Sequence, residues 1–262
     1  MIKLENVSFK YKNSENKVLD NLNLEVQDGE LIAIVGENGS GKSTIGKLIA
    51  GILKPKQGKI IIDGKDTNIG IVFQNPENQI IFSSIYDELA FSLKGLEKEE
   101  IEKRIDKALE EVGMLKYKNQ NLYTLSLGQK QRIMIAEVLA KKPKIIVFDE
   151  PTTMIDSKGK ESIYKIIENL KKEGYTIICI TNLAAEILIA DRTLVLKNGR
   201  IATEIRKKEL IDKANILKEY DVKLPMLLEL LIKLKDNGIN IKIEDFTVDE
   251  LVNNLKGMLN NE

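Results

Sequence analysis

Apolar positions along the chain follow two periods. Residues 1–35 alternate apolar and polar, most clearly at 18–26 (VLDNLNLEV), as strands with one buried face do. Leu31–Val35 (LIAIV) is apolar throughout, which predicts a strand covered on both faces. A glycine-rich segment follows at once, and from 42 to 50 the spacing becomes helical. Residues 54–65 read as a turn, a strand and a second turn, and 69–74 (IGIVFQ) as another short strand. From 85 to 140 the pattern is mainly helical, including the charged stretch 97–112. Residues 144–151 (KIIVFDEP) return to a buried strand. Residues 161–174 predict an amphipathic helix closed by Gly174. Residues 175–181 (YTIICIT) and 192–201 (RTLVLKNGRI) read as strands, and a separate helical and mixed tail begins at about 208. Strands alternating with helices predict an α/β core around a parallel sheet, with the 85–140 block inserted into it.

The segment after the continuously apolar strand carries the chemistry. Gly36-Glu37-Asn38-Gly39-Ser40-Gly41-Lys42-Ser43 fits G-x-x-x-x-G-K-[ST]. Glycines let successive N–H groups turn toward phosphate oxygens, and the helix that follows presents its positive end. Lys42 would reach the β- and γ-phosphates and Ser43 would bind Mg²⁺. A plain glycine-rich turn is the bland alternative, and the strand before and helix after argue against it. Phosphoryl transfer also needs an acidic site. The strand ending in Asp149-Glu150 supplies one: Asp149 to orient the Mg²⁺ shell, Glu150 to polarise an attacking water.

Composition removes alternatives. The 262 residues contain no histidine, so an imidazole base, the usual imidazole pH sensor and common zinc sites are excluded. The lone Cys179 lies in an apolar run and reads as a buried thiol without a disulfide. Forty basic residues balance forty acidic ones, so no global charge points to nucleic acid or an anionic surface. The most apolar stretch, 224–234, is broken by Glu229 and Lys233 and is too short to span a bilayer. No signal-peptide core opens the chain.

Taken in order, these motifs resemble the ATP-binding cassette family over about residues 1–205. Leu125-Ser126-Leu127-Gly128-Gln129 is similar to the family signature LSGGQ, Gln74 to the Q-loop glutamine, and Tyr11 to the aromatic residue that stacks on adenine. Residues 153–156 stand where the D-loop falls. The resemblance implies a P-loop NTPase (RecA-like) α/β core with an antiparallel β subdomain and a helical subdomain inserted at about 83–140. A small C-terminal appendage at 206–262 would stabilise a dimer or pack on its own domain; Leu227, Leu230, Leu231 and Leu234 are its apolar stripe. ATP and Mg²⁺ are the implied ligands. Tyr11, Gly36, Asn38, Gly39, Ser40, Gly41, Lys42, Ser43 and Thr44 would bind the nucleotide, Ser43, Gln74 and Asp149 the metal, and Glu150, Gln74 and Asn182 would serve catalysis. Ser126, Gly128 and Gln129 would meet the γ-phosphate of an opposing subunit in a head-to-tail dimer.

A narrower resemblance, carried by 74–82 (QNPENQIIF) and the tail, is to the ATPases of energy-coupling factor importers for vitamins or transition-metal ions. It implies a second ATPase subunit, a transmembrane coupling protein and a substrate-binding membrane protein as partners, on the cytoplasmic face of the membrane. Asp87 and Glu88 would meet basic residues of the coupling helices. Two departures qualify the family pattern. Asn182 stands where a histidine is usual, which points to slow hydrolysis and leaves a largely regulatory ATP-binding subunit as an alternative. Leu127 replaces the first signature glycine. Homodimer and heterodimer both remain open, as does another transporter branch.

Overall fold

The computed structural model describes residues 1–12, 14–64, 68–220 and 222–259. β1 (Ile2–Phe9) and β2 (Leu19–Val26) pair antiparallel. In β2, Leu19, Leu22, Leu24 and Val26 are buried while Asn21, Asn23 and Glu25 face outward, the period of two seen in the sequence. β3 (Leu31–Val35) is buried at every position, and α1 (Lys42–Ile49) follows the glycine-rich loop. β4 (Gln57–Ile62) pairs with the other edge of β1, closing a three-stranded antiparallel sheet of order β2-β1-β4. The turn expected after it runs into residues outside those described.

β5 (Ile69–Val72) opens the second sheet. Three helices intervene, α2 (Ile85–Ser92), α3 (Lys98–Glu111) and α4 (Leu127–Ala140), before β6 (Ile145–Asp149). Then come α5 (Ser157–Lys172), β7 (Thr176–Ile180), α6 (Ala184–Ile189), β8 (Arg192–Lys197) and β9 (Arg200–Arg206). The sheet order is β5-β6-β7-β3-β8-β9; its neighbours pair parallel except β8 and β9. Residues 192–201, expected as one strand, are instead a hairpin. Asn198 and Gly199, with φ of 49° and 73°, make the tight turn.

Period two also divides the sheet between two cores. Ile32, Ile34, Val147, Ile178 and Ile180 pack with Ile45, Leu48 and Ile49 of α1 and with the small sheet. Leu31, Ala33, Val35, Ile146, Phe148, Ile177 and Cys179 face the inserted helices and α5 on the opposite side. A parallel sheet needs this double cover, and it leaves Cys179 a fully buried thiol.

The tail forms α7 (Leu210–Glu219), α8 (Met226–Asp236) and α9 (Val248–Leu259). Leu210, Ala214, Leu217, Leu228, Leu231, Phe246 and Leu251 belong to the same core as the main sheet. The stripe read from the sequence is rotated: Leu228 and Leu231 are buried, Leu227 and Leu234 partly so, and Leu230 is exposed. No helix among the described residues is long and apolar enough to cross a membrane.

Gly46 lets α1 lie close on the sheet; a Cβ there would sit 2.6 Å from Ile180 Cδ1 and 3.0 Å from Val147 Cγ1. We expect Gly46→Val to lose about 1–3 kcal/mol of stability by overpacking, read as a lowered urea midpoint. An unchanged midpoint would show that α1 can shift outward at no cost.

Candidate functional site

β3, β6 and β7 end at one edge of the sheet, and the loops leaving them build the site. The loop after β3 holds Gly36, Gly39 and Gly41 at φ of 146°, 81° and 107°. A Cβ at Gly36 would meet the Leu196 carbonyl at 2.1 Å, and one at Gly41 would meet Leu19 Cδ2 at 2.8 Å. At Gly36 and Gly41 glycine is required on steric as well as conformational grounds; at Gly39 the ground is the left-handed backbone alone. Lys42 is buried and donates to the carbonyls of Gly36 at 2.7 Å and Glu37 at 3.0 Å. Burial lowers its pKa, partly offset by the charges of Glu150 and Asp149.

Ser43 Oγ donates to Asp149 Oδ1 at 2.8 Å, joining the P-loop to the end of β6. Burial pushes the Asp149 carboxyl above its ordinary range and the Glu150 charge adds to this, while the Ser43 hydrogen bond opposes it. Glu150 adopts φ of 51°, a left-handed backbone that is costly for a side-chain-bearing residue. Its Oε2 accepts from Gln74 Nε2 at 3.0 Å and from Thr153 Oγ1 at 3.2 Å. Tyr11, Val18, Asn38, Gly39, Gly41, Lys42, Ser43, Thr44 and Glu150 line one cleft of about 310 Å³. Tyr11 is tied to it by its hydroxyl, 3.1 Å from Thr44 Oγ1, and stands edge-on to Phe9, the residue 41% exposed. Val18 was missed in the sequence because an apolar residue leading into a strand carries no chemical signal.

Asn182 follows β7. Its Oδ1 accepts from the Gly36 N–H at 3.2 Å. A backbone amide can only donate, so this contact fixes the side-chain orientation, with Oδ1 toward Gly36 and Nδ2 turned the other way. Ser40 belongs to a neighbouring cleft with Glu37, Asn38, Lys17 and Asn198. The signature residues Ser126, Gly128 and Gln129 do not line the P-loop cleft of their own chain. Ser126 caps α4: its hydroxyl accepts from Gln129 N at 3.3 Å, and Gln129 Oε1 accepts from Ser126 N at 2.9 Å. Gly128 packs against α5, where a Cβ would lie 3.1 Å from Ile155 and 3.3 Å from Gly159.

One expectation is corrected. Glu88 is buried, and its carboxylate accepts the N–H groups of Ile81 at 3.0 Å and Phe82 at 2.6 Å. It holds the loop before α2 and is turned away from any partner, whereas Asp87 is exposed. Beside it, Phe82 and Phe91 have ring centroids 5.2 Å apart, and Phe91 and Ile81 are exposed.

The family model described as ABC transporter matches residues 19–153. Over 96% of this chain and 97% of the relative, the sequence is 40% identical to the energy-coupling factor transporter ATP-binding protein EcfA1 of Clostridioides difficile. The chain belongs to the ABC transporter family. Its similarity to EcfA1 of Streptococcus pyogenes is 39%, over 97% of this chain and 96% of that one. Among solved structures, cbiO1 from Clostridium perfringens, part of the ABC transporter complex cbiONQ, superposes with a TM-score of 0.74. It is 35% identical, over 87% of this chain and 97% of cbiO1. The ATP-binding cassette MJ0796, in a dimeric post-hydrolysis state bound to ADP and Pi, gives a TM-score of 0.70 at 33% identity, over 79% of this chain and 99% of that one.

Behind the nucleotide edge of this ABC ATPase lies a carboxyl the sequence did not reveal. Glu186, on α6, is fully buried and accepts from Thr152 Oγ1 at 2.8 Å. Desolvation raises its pKa from 4.5 to about 7, against the hydrogen bonds from Thr181 and Thr152. The folded state therefore binds this proton more tightly than the unfolded one, so stability falls as pH rises from about 4.5 to about 7. The whole displacement corresponds to roughly 3 kcal/mol. Glu186→Gln lacks that titration, so urea unfolding at pH 5 and 7.5 is expected to show wild type losing about 2–3 kcal/mol relative to the variant. A constant difference between the two proteins would show that Glu186 stays ionised.

Proposed function

We propose that this chain is the ATP-binding and hydrolysing subunit of an energy-coupling factor importer, for a vitamin or a transition-metal ion. The observation that carries the reading is the joined set Ser43–Asp149 and Gln74–Glu150 at the mouth of the P-loop cleft. The subtype rests on full-length similarity to energy-coupling factor ATP-binding proteins.

Each residue then has a task. The amides of Asn38, Gly39, Ser40 and Gly41 and the Lys42 ammonium hold the phosphates, with Gly36 turning the loop toward them and Thr44 beside them. Tyr11 stacks on the base. Ser43, Gln74 and Asp149 offer hard oxygen ligands, few in number, which suits an ion that keeps much of its own water. Mg²⁺ supplies charge neutralisation across the phosphates when bound. Glu150 orients and polarises the attacking water, held by Gln74 and Thr153. Asn182 presents Nδ2 toward the γ-phosphate while its carbonyl oxygen is engaged by Gly36. It can donate there but carries no charge, which supports slow turnover and keeps a regulatory, weakly hydrolysing subunit as the second reading.

Ser126 and Gly128 serve the nucleotide of an opposing ATPase subunit, head to tail, and Gln129 holds Ser126 in place for it. ATP is then a ligand of the closed dimer, and hydrolysis removes its preference for that state. The dimeric state of MJ0796 supports this arrangement. Residues 1–205 form the cassette and 206–262 the appendage. The subunit lies on the cytoplasmic face of the membrane, under a transmembrane coupling protein that is paired with a substrate-binding membrane protein. Exposed Phe91 and Ile81, with the half-buried Phe82 between them, form the apolar docking surface for it; nucleic acid is not a partner.

Glu150→Gln is expected to lower ATP turnover at least about a hundredfold with nucleotide binding retained. Asn182→His is expected to raise turnover several-fold; an unchanged rate would make Asn182 a full working substitute. Glu150→Gln at wild-type rate would overturn the hydrolytic reading. Phe91→Glu is expected to abolish co-purification with the membrane subunits at an unchanged thermal midpoint, and intact co-purification would move the docking surface elsewhere.

A further inference from the structure

We propose that Glu186 is a positioning residue for ATP hydrolysis: from within the core it fixes the segment that carries Glu150 and braces it against the turn that carries Asn182. The inference rests on the reading of Glu150 as the residue that directs water.

Thr152 and Glu186 are both fully buried, and the Thr152 hydroxyl donates to Glu186 Oε1 at 2.8 Å. Between Thr152 and Glu150 lies only Pro151, whose ring fixes φ and makes the connection stiff. An anchor at Thr152 therefore acts on the backbone of Glu150 almost directly. That backbone is left-handed, at φ of 51°, a conformation that persists only where neighbours hold it. On its other side the Glu150 N–H is held by the Ile180 carbonyl at 2.8 Å. The clamp is thus two-sided, and Glu186 supplies the side-chain half.

The same carboxyl reaches the second catalytic turn. Thr181 stands close enough to oppose the effect of burial on this carboxyl, and the Thr181 hydroxyl accepts from Leu183 N at 2.8 Å, closing the turn around Asn182. One buried group, bonded to the chain leaving β6, thus lies against the chain leaving β7, where Asn182 meets the P-loop at Gly36.

A negative charge is not what the position uses. Glu186 forms no ion pair among the described residues, and its Oε2 is buried without a hydrogen-bond partner. Around it, Glu150 opposes ionisation and Lys160 on α5 favours it; Thr152, Thr181 and Cys179 face it without charge, and Tyr164 on α5 feels the same field. What remains is an acceptor oxygen of fixed reach. Glutamine keeps that oxygen and leucine does not.

The test uses the full-length chain, with steady-state ATP turnover, equilibrium binding of a fluorescent ATP analogue, and thermal unfolding on each variant. Thr152→Val and Glu186→Leu are expected to lower kcat about tenfold while ATP affinity and KM stay within about twofold. The double variant should be no slower than the slower single one, because both remove the same contact. Glu186→Gln should keep kcat within about twofold of wild type. If Glu186→Leu fails to fold, the smaller change Thr152→Val carries the test. Wild-type kcat in Thr152→Val, loss of affinity in step with kcat, or a Glu186→Gln as slow as the leucine variant would each overturn the inference. Glu150→Gln is measured alongside. Turnover that survives it would overturn the hydrolytic reading and this inference with it; turnover that it abolishes but Thr152→Val leaves untouched would overturn the inference alone.

Discussion

Register in the parallel sheet sets where every reactive group can stand. Ile34 and Asp149 both lie opposite Ile180, so β3, β7 and β6 end nearly level. The ladder continues past the strands, with Thr181 N–H donating to Ile34 O and Glu150 N–H to Ile180 O. The three departing loops therefore open side by side, and Gly36, Glu150 and Asn182 meet without any long-range adjustment. A slip of one residue would exchange the two faces of a strand. It would turn Asp149 away from Ser43 and bring the odd-numbered core residues of β3 against the wrong layer. Continuous apolar sequence in β3, β6 and β7 could tolerate such a slip on hydrophobicity alone. The polar residues at their ends, and glycines where backbone or side chains approach closely, remove the ambiguity.

Opposed electrostatic effects act within this edge. Lys42, Asp149 and Glu186 are all removed from water, and each loses some preference for its charged form. The nearby carboxylates return part of it to Lys42, and the Ser43 hydroxyl returns part of it to Asp149, while hydroxyls beside Glu186 only partly oppose its burial. Closely spaced carboxylates beneath a glycine-rich loop favour a cation and discriminate against bare negative charge. A triphosphate delivered with Mg²⁺ would satisfy both: Asp149 would offer the metal an oxygen ligand, and the loop amides and Lys42 would take the phosphate oxygens.

The local chemistry was legible in the sequence wherever neighbours in the chain are neighbours in space. The P-loop is contiguous, so its glycines, Lys42 and Ser43 declare themselves, and Asp149-Glu150 follows an unmistakable buried strand. Relations formed by folding were less visible. Glu88 reads as one of two acids opening a helix, yet it folds back onto the amides of Ile81 and Phe82. The leucines of α8 allow two neighbouring stripes, and contact with α7, itself packed on β9, selects the one through Leu228 and Leu231. Glu186 sits in an ordinary amphipathic stretch, and only the packing of α6 against the sheet brings it to Thr152. Asn198-Gly199 is a different case, because the dipeptide is a turn signal that the strong apolar pattern on either side outweighed.

The signature segment shows how packing sorts two adjacent positions that look alike in the sequence. Leu127 stands where the family has its first glycine, and its side chain is exposed at the first turn of α4. Nothing in the fold of this chain requires a glycine there. Gly128 is different, since a Cβ would press on Ile155 and on the backbone of Gly159, where α4 meets the start of α5. Ile155 lies five residues beyond Glu150, and from the other side Gln131 of α4 donates to the Phe73 carbonyl, next to Gln74, at 2.8 Å. The first turns of α4 are thus packed on the chain leaving Glu150 and hydrogen-bonded to the chain that holds its carboxylate. A larger residue at 128 would part α4 from α5 and disturb both connections, whereas a larger residue at 127 alters only the surface. The departure at 127 and the retention of glycine at 128 have the same physical origin, the width of the gap between two helices.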